Sequence, residues 1–250
     1  NFAKLVHMQQ PKEYQKDALA DHHDIFEIKN YNDPSWGINR GHAMELECNY
    51  LLMCDNLLDP THVAWVHAGS FGQAATKSAP LRVKKTDDGV IVHRWMLDVE
   101  PAPFYKKVVG FKGNCDRLQH YEVRYPSNAL IKAIFTPAGT GGSEGKLHED
   151  VFIMDSYNFM TPVTESKTRY YWFQLRNIRP DDPELSQLMT DDVQHAFEED
   201  QNVLNEVQKG MTNKTSPHID LPIDAGQLRF RRQLQAMINE EVQVDKQMAQ

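Results

Sequence analysis

The spacing of apolar and polar positions changes character along this chain and divides it into blocks. In the middle the period is two: Leu81-Arg82-Val83 and Val90-Ile91-Val92-His93-Arg94-Trp95 flank a turn at Asp87-Asp88-Gly89, which predicts a β-hairpin. Further strand-like runs occupy 121–125 and 130–135 and are followed by a Gly-rich loop over 138–145. Residues 150–159 and 168–176 lie either side of Pro162-Val163-Thr164-Glu165 and predict a second hairpin. From Asp182 the period lengthens. Pro183 suits a first helical turn, and Leu185, Leu188, Met189, Val193, Ala196, Phe197, Val203, Leu204 and Val207 predict a helix reaching about Met211. A looser helical pattern over 227–241 carries Phe230, Leu234, Met237 and Ile238. Residues 1–45 mix charge, His and Pro without a period, with turns at Asn32-Asp33-Pro34 and Trp36-Gly37, and read as a connecting segment leading into a first strand. Strands gathered into one block with helices outside it predict an α+β fold on an antiparallel sheet, with residues 46–250 as one domain.

Composition narrows the partners. A net charge of −8 and no Lys/Arg run interleaved with aromatics argue against nucleic acid. No apolar stretch is long enough to span a membrane and no signal-peptide pattern opens the chain, so the expected compartment is the cytoplasm. Cys48, Cys54 and Cys115 are too scattered for a disulfide framework or a thiolate zinc site, and are expected to be reduced and buried.

Candidate chemistry sits in the window Asp55-Asn56-Leu57-Leu58-Asp59-Pro60-Thr61-His62-Val63-Ala64-Trp65-Val66-His67-Ala68-Gly69-Ser70, read as largely helical. Two imidazoles with a carboxylate would suit iron, zinc, copper or nickel and leave open coordination positions, although a nearby His pair is also common without a metal. Asp59, ahead of Pro-Thr, would equally serve to cap or turn the chain. Far away in sequence, Ala196, Phe197, Asp200, Val203, Leu204 and Val207 fall on one helical stripe, whereas Glu198, Glu199, Gln201 and Asn202 fall outside it. A carboxylate on a buried stripe must be protonated, paired with Arg or Lys, or bound to a metal. His42, His93, His120, His148, His195 and His218 have no partner at ligand spacing, and the aromatics Trp95, Tyr170, Trp172 and Phe173 read as core. Arg94, Arg124, Lys132 and Arg169 are the cations considered for holding an anionic group.

The run from Asp55 to His62, with His67-Ala68-Gly69-Ser70, resembles the mononuclear-iron motif of Rieske non-haem oxygenases. Phe197-Glu198-Glu199-Asp200-Gln201 and Arg231-Arg232-Gln233-Leu234 are most similar to the vanillate O-demethylase oxygenase branch, over about residues 45–240. The resemblance implies a helix-grip, START-like catalytic domain whose ferrous iron is held by His62, His67 and Asp200. It also implies that Asp59 links a neighbouring subunit's Rieske cluster to the iron, and that Asn56 stands just behind the ligands. A small aromatic substrate, methoxylated or acidic, O2, a reductase or ferredoxin fed by NADH, and a homotrimer follow from the same likeness. A 2Fe–2S Rieske cluster needs Cys-x-His and Cys-x-x-His, and none of the three Cys has His at either distance. The cluster is therefore expected in a domain upstream of residue 1. An apolar ligand carrier and a zinc hydrolase are the alternatives from other classes, the latter without an HExxH base.

Overall fold

The computed structural model describes residues 26–77, 79–141, 147–213 and 219–248. Eight strands form one antiparallel sheet: β1 (Gly37–Arg40), β2 (Met44–Leu46), β3 (Arg82–Lys85), β4 (Gly89–Val99), β5 (Cys115–Arg124), β6 (Asn128–Pro137), β7 (Phe152–Thr164) and β8 (Lys167–Arg176). Their order is β1-β8-β7-β6-β5-β4-β3, with β2 also paired to β8. Among the described residues four α-helices accompany them: α1 (Tyr50–Asn56), α2 (Pro103–Val109), α3 (Pro183–Thr212) and α4 (Ala225–Met248). This is the antiparallel α+β architecture expected from the pattern.

Both hairpins form. β3 and β4 pair Lys85 with Val90 across the Asp-Asp-Gly turn. In the second hairpin the strands run on to pair Thr164 with Lys167, so Pro162 and Val163 lie inside β7, where the register shifts. A proline is tolerated there because a bulge does not need its missing N–H.

Two strands come from outside the sequence pattern. β1 and β2 both lie along the edge of β8, pairing with Phe173 to Arg176 and with Thr168 to Tyr170 respectively. They are interrupted at Gly41, where a Cβ would come within 1.9 Å of the Trp172 ring, so the indole occupies the space that a side chain would need.

One sheet face carries the main core. Val90, Val92, Val123, Phe135, Met160, Tyr170 and Trp172 meet Leu185, Met189, Val193 and Leu204 of α3. Asp182 caps α3 by accepting from the Leu185 backbone N–H at 2.9 Å, and Pro183 follows at the first turn. The buried positions Leu185, Met189, Val193, Ala196, Asp200 and Leu204 step by three or four residues, so one stripe faces the sheet. Val203 and Val207 are exposed, which makes the buried stripe narrower than the apolar spacing implied. The opposite sheet face holds a smaller cluster in which Phe26, Ile28 and Trp36, from the segment read as a connector, pack on Leu130, Tyr157 and Leu175. Among the described residues no helix is long and apolar enough to cross a membrane.

Candidate metal centre

The window read as largely helical is built differently. α1 ends at Asn56, and His62 opens a short 3-10 turn, His62–Ala64, after which the chain turns again to reach His67. The Asp59 carboxylate starts this path by accepting from the Thr61 backbone N–H at 2.8 Å and from its hydroxyl, which fixes the Asp-Pro-Thr turn. The His67 carbonyl accepts from the Ser70 and Gly72 backbone N–H groups at 3.1 and 2.8 Å. Gly72 permits this close turn, since a Cβ there would lie 2.7 Å from the Val63 carbonyl oxygen. The turns bring the two imidazoles together, with ring centroids 5.2 Å apart and planes at 79°.

Asp200 reaches the same point from the middle of α3. One ligand atom from each of His62, His67 and Asp200 lies within 4.8 Å of the others. Asp200 Oδ1 is 3.6 Å from His62 Nε2 and 3.2 Å from His67 Nε2. The Asp200 side chain is 3% exposed and His67 is 5% exposed, so water supplies little compensation.

Partner chemistry sets the tautomers. The Asp59 backbone carbonyl can only accept, so the His62 Nδ1 beside it must be the N–H. His67 Nδ1 likewise faces Glu199 Oε2 at 2.7 Å. In the neutral rings both Nε2 atoms are then lone pairs aimed at a carboxylate oxygen. Three acceptors pointing at one another repel unless a proton or a cation lies between them. Although burial opposes the charge, the Asp200 and Glu199 carboxylates raise the pKa of His67, which is the protonated answer to this repulsion. A metal ion is the other answer. Donors about 2.1 Å from one ion lie about 3 Å apart when at right angles, close to the two Nε2–Oδ1 distances. The donor set fits a divalent first-row metal, iron included.

Asn56 holds the acid, its Nδ2 donating to Asp200 Oδ1 at 3.0 Å, while its own Oδ1 is buried and has no hydrogen-bond partner among the described residues. Glu199, which the stripe had placed outside, is the orienting group for His67. Only a fold joining positions 132 residues apart creates that contact.

An open cavity adjoins the triad, with Phe71, Tyr105, Ile131, Met154, Val193 and Phe197 among its walls. Arg117 and Tyr121 of β5 and Ser156 and Gln174 of the neighbouring strands add polar groups. Burial pushes the Tyr121 phenol up, so it stays a neutral donor. The cations considered from sequence are engaged elsewhere. Arg94 donates to Gln119 Oε1 and to the Ala79 and Pro60 carbonyls; Arg124 pairs with Glu122, Lys132 with Asp155, and Arg169 with Glu45. His120, His148 and His195 each stand near an acid, and His42 is exposed. His218, residues 142–146 of the Gly-rich loop, and residues 1–25 lie outside the described residues.

Residues 46–240 match the family described as the vanillate O-demethylase oxygenase C-terminal domain. Over 239 residues the chain is 30% identical to the vanillate O-demethylase oxygenase subunit of Pseudomonas sp. (strain ATCC 19151), covering 92% of this chain and 71% of that protein. Over 213 residues it is 30% identical to the iron-sulfur subunit of a toluene-4-sulfonate monooxygenase system from Comamonas testosteroni, covering 84% and 61%. Among solved structures, dicamba monooxygenase bound to 3,6-dichlorosalicylic acid superposes with a TM-score of 0.81 at 21% identity, covering 89% of this chain and 65% of that one.

Proposed function

The chain belongs to the family of the vanillate O-demethylase oxygenase C-terminal domain, a branch of the Rieske non-haem iron oxygenases, and on that premise we propose that His62, His67 and Asp200 hold the ferrous iron of an aromatic oxygenase. The observation that carries this is the convergence of two Nε2 lone pairs and one buried carboxylate oxygen beside a largely apolar cavity. Ferrous iron, when bound, supplies the activation of O2 that inserts one oxygen atom into a substrate C–H bond, the other leaving as water with two electrons and two protons consumed.

This chain's residues supply geometry and enclosure. Asn56 and Glu199 fix the orientation of Asp200 and His67, and Phe71, Val193 and Phe197 keep the reacting end of the cavity apolar. A small aromatic substrate, methoxylated or acidic, suits the cavity. Insertion at a methoxy carbon gives a hemiacetal that separates into formaldehyde and a phenol.

The electron path is also part of the proposal. The chain spans 71% and 61% of the two relatives described above and has no Cys/His pattern for a Rieske cluster. We place the 2Fe–2S cluster on sequence outside these residues, upstream, with 1–45 as the connection and 46–250 as the catalytic domain. A reductase or ferredoxin drawing on NADH charges the cluster. Asp59, part-buried beside His62, is the link to a neighbouring subunit's cluster in a head-to-tail homotrimer acting in the cytoplasm. The test is metal analysis and turnover of the full-length protein with a matched reductase, against aryl ethers and aromatic acids. Stoichiometric iron with formaldehyde release supports demethylation, and product without formaldehyde assigns hydroxylation. Zinc or no metal, with no oxygen uptake, overturns the reading.

A further inference from the structure

Arg94 of β4 is 2% exposed, and all three of its guanidinium nitrogens have acceptors. Nε donates to Gln119 Oε1 at 2.8 Å, Nη1 to the Ala79 carbonyl at 3.0 Å and Nη2 to the Pro60 carbonyl at 3.1 Å. Gln119 stands directly across from Arg94 in the register of β4 and β5. Its amide cannot turn over: a guanidinium only donates, so Oε1 faces Arg94 and Nε2 donates to the Tyr121 hydroxyl at 3.3 Å. The planar fork is therefore fixed on three sides. A desolvated cation is a costly way to fill space on a strand, and what this one adds is direction. Pro60 belongs to the turn that delivers His62. It has no N–H, so its carbonyl is the only backbone hydrogen-bonding group of that residue. The carbonyl one residue earlier, that of Asp59, accepts from His62 Nδ1. Because the proline ring locks φ, a single free torsion separates the directions of these two carbonyls.

We propose that Arg94 is a positioning residue for the metal centre: from the sheet it pins the Pro60 carbonyl, and through the adjoining Asp59 carbonyl it sets where the His62 ring points. His67 is oriented by Glu199 and Asp200 by Asn56, so Arg94 completes the set by serving the third ligand at one remove. Gln119 aims the fork and is the next link back into the sheet. Without the guanidinium the turn loses its tether to β4, and the His62 ring has more than one resting direction. This deepens the oxygenase reading and rests on it only for the statement that the resident ion is ferrous iron.

The test uses the full-length protein and two readouts that need no turnover: anaerobic competition for Fe(II) against a chelator, and the electron paramagnetic resonance spectrum of the nitric oxide adduct of the ferrous form. Arg94→Met should raise the Fe(II) dissociation constant about tenfold, the lower end for groups that orient metal ligands, and should split or broaden the adduct signal. Arg94→Lys keeps one donor for the Pro60 carbonyl and should recover most of the affinity and a single signal. Gln119→Leu removes the aiming group alone and should raise the constant about threefold with a broadened signal, which keeps the test alive if Arg94→Met does not fold. The control is Arg176, fully buried and donating to the Arg179 and Asp182 carbonyls and to Ser186 Oγ. Arg176→Lys should lower the urea midpoint and leave affinity and signal unchanged. Wild-type affinity and a single sharp signal in folded Arg94→Met, or in Gln119→Leu, overturn the proposal, and so does an Arg176→Lys protein that disturbs the signal as much. The two readings fail separately: iron binding that depends on Arg94 without oxygen uptake removes the oxygenase and leaves Arg94 standing. Oxygen-coupled turnover with iron binding indifferent to Arg94 does the reverse.

Discussion

Replacing Glu199 with Ala should weaken iron binding without disturbing the fold, and the size of the effect follows from one contact. Glu199 Oε2 accepts from His67 Nδ1 at 2.7 Å, across side chains that are 33% and 5% exposed. Removing the acceptor leaves a buried N–H unpaired and frees the ring to rotate or change tautomer. A hydrogen bond to a charged group contributes about 1.5–3 kcal/mol, and partial exposure of the carboxylate places this one near the lower end, about 1.5–2 kcal/mol. That converts to roughly a 10–30-fold rise in the dissociation constant for ferrous iron, within the range expected for groups that orient metal ligands. Glu199→Gln retains a neutral acceptor and should lose only about threefold to fivefold. The neighbouring exposed Glu198 accepts from Gln194, so Glu198→Ala is the matched control and should change nothing beyond twofold. The assay is anaerobic competition for Fe(II) against a chelator of known affinity. Wild-type affinity in a folded Glu199→Ala protein would refute the reasoning.

Phe230 is fully buried in α4 and stacks on Tyr125 at 5.0 Å, so Phe230→Ala should cost about 3–5 kcal/mol in urea unfolding; a loss below 1 kcal/mol would mean that α4 does not belong to the core. Gly41→Ala must displace the Trp172 ring and should destabilise by about 1–3 kcal/mol with a shift in tryptophan emission, and neutrality in both readouts would contradict the close approach. Glu122 loses solvation by burial, but His120 and Arg124 more than offset this and hold its carboxyl at about 2 against an ordinary 4.5. Because the folded value is depressed, its stabilisation is present above pH 4.5 and is lost as pH falls from there towards 2, by about 1–3 kcal/mol after allowance for a partly exposed partner. Glu122→Gln should flatten that part of the stability profile, and an unchanged acid slope would remove the assignment.

Long-period and short-period patterns were enough to locate the hairpins, the long helix and the inward position of Asp200, because each depends on residues near one another in sequence. The edge strands β1 and β2 escape such reading: with four and three residues they are too short to show a period, and their pairing with β8 is long-range. The exposure of Val203 and Val207 follows from what packs against α3, which helical spacing does not encode. Arg117 was missed because the apolar run that signals β5 begins at Tyr121, whereas the strand itself begins at Cys115. Extending the alternation back from Tyr121 by two residues twice would have put Arg117 on the face of Tyr121. Glu199 gave no local signal, since a helix position one step from the buried stripe meets His67 only through the tertiary fold.

The central claim is that three side chains share one ion, and anomalous diffraction at the iron edge from crystals of the full-length, iron-loaded protein tests it most directly. The account predicts a single strong peak about 2.0–2.2 Å from His62 Nε2, His67 Nε2 and an Asp200 carboxylate oxygen. A peak lying elsewhere, or a protein that retains no iron while these three side chains keep their places, would contradict it.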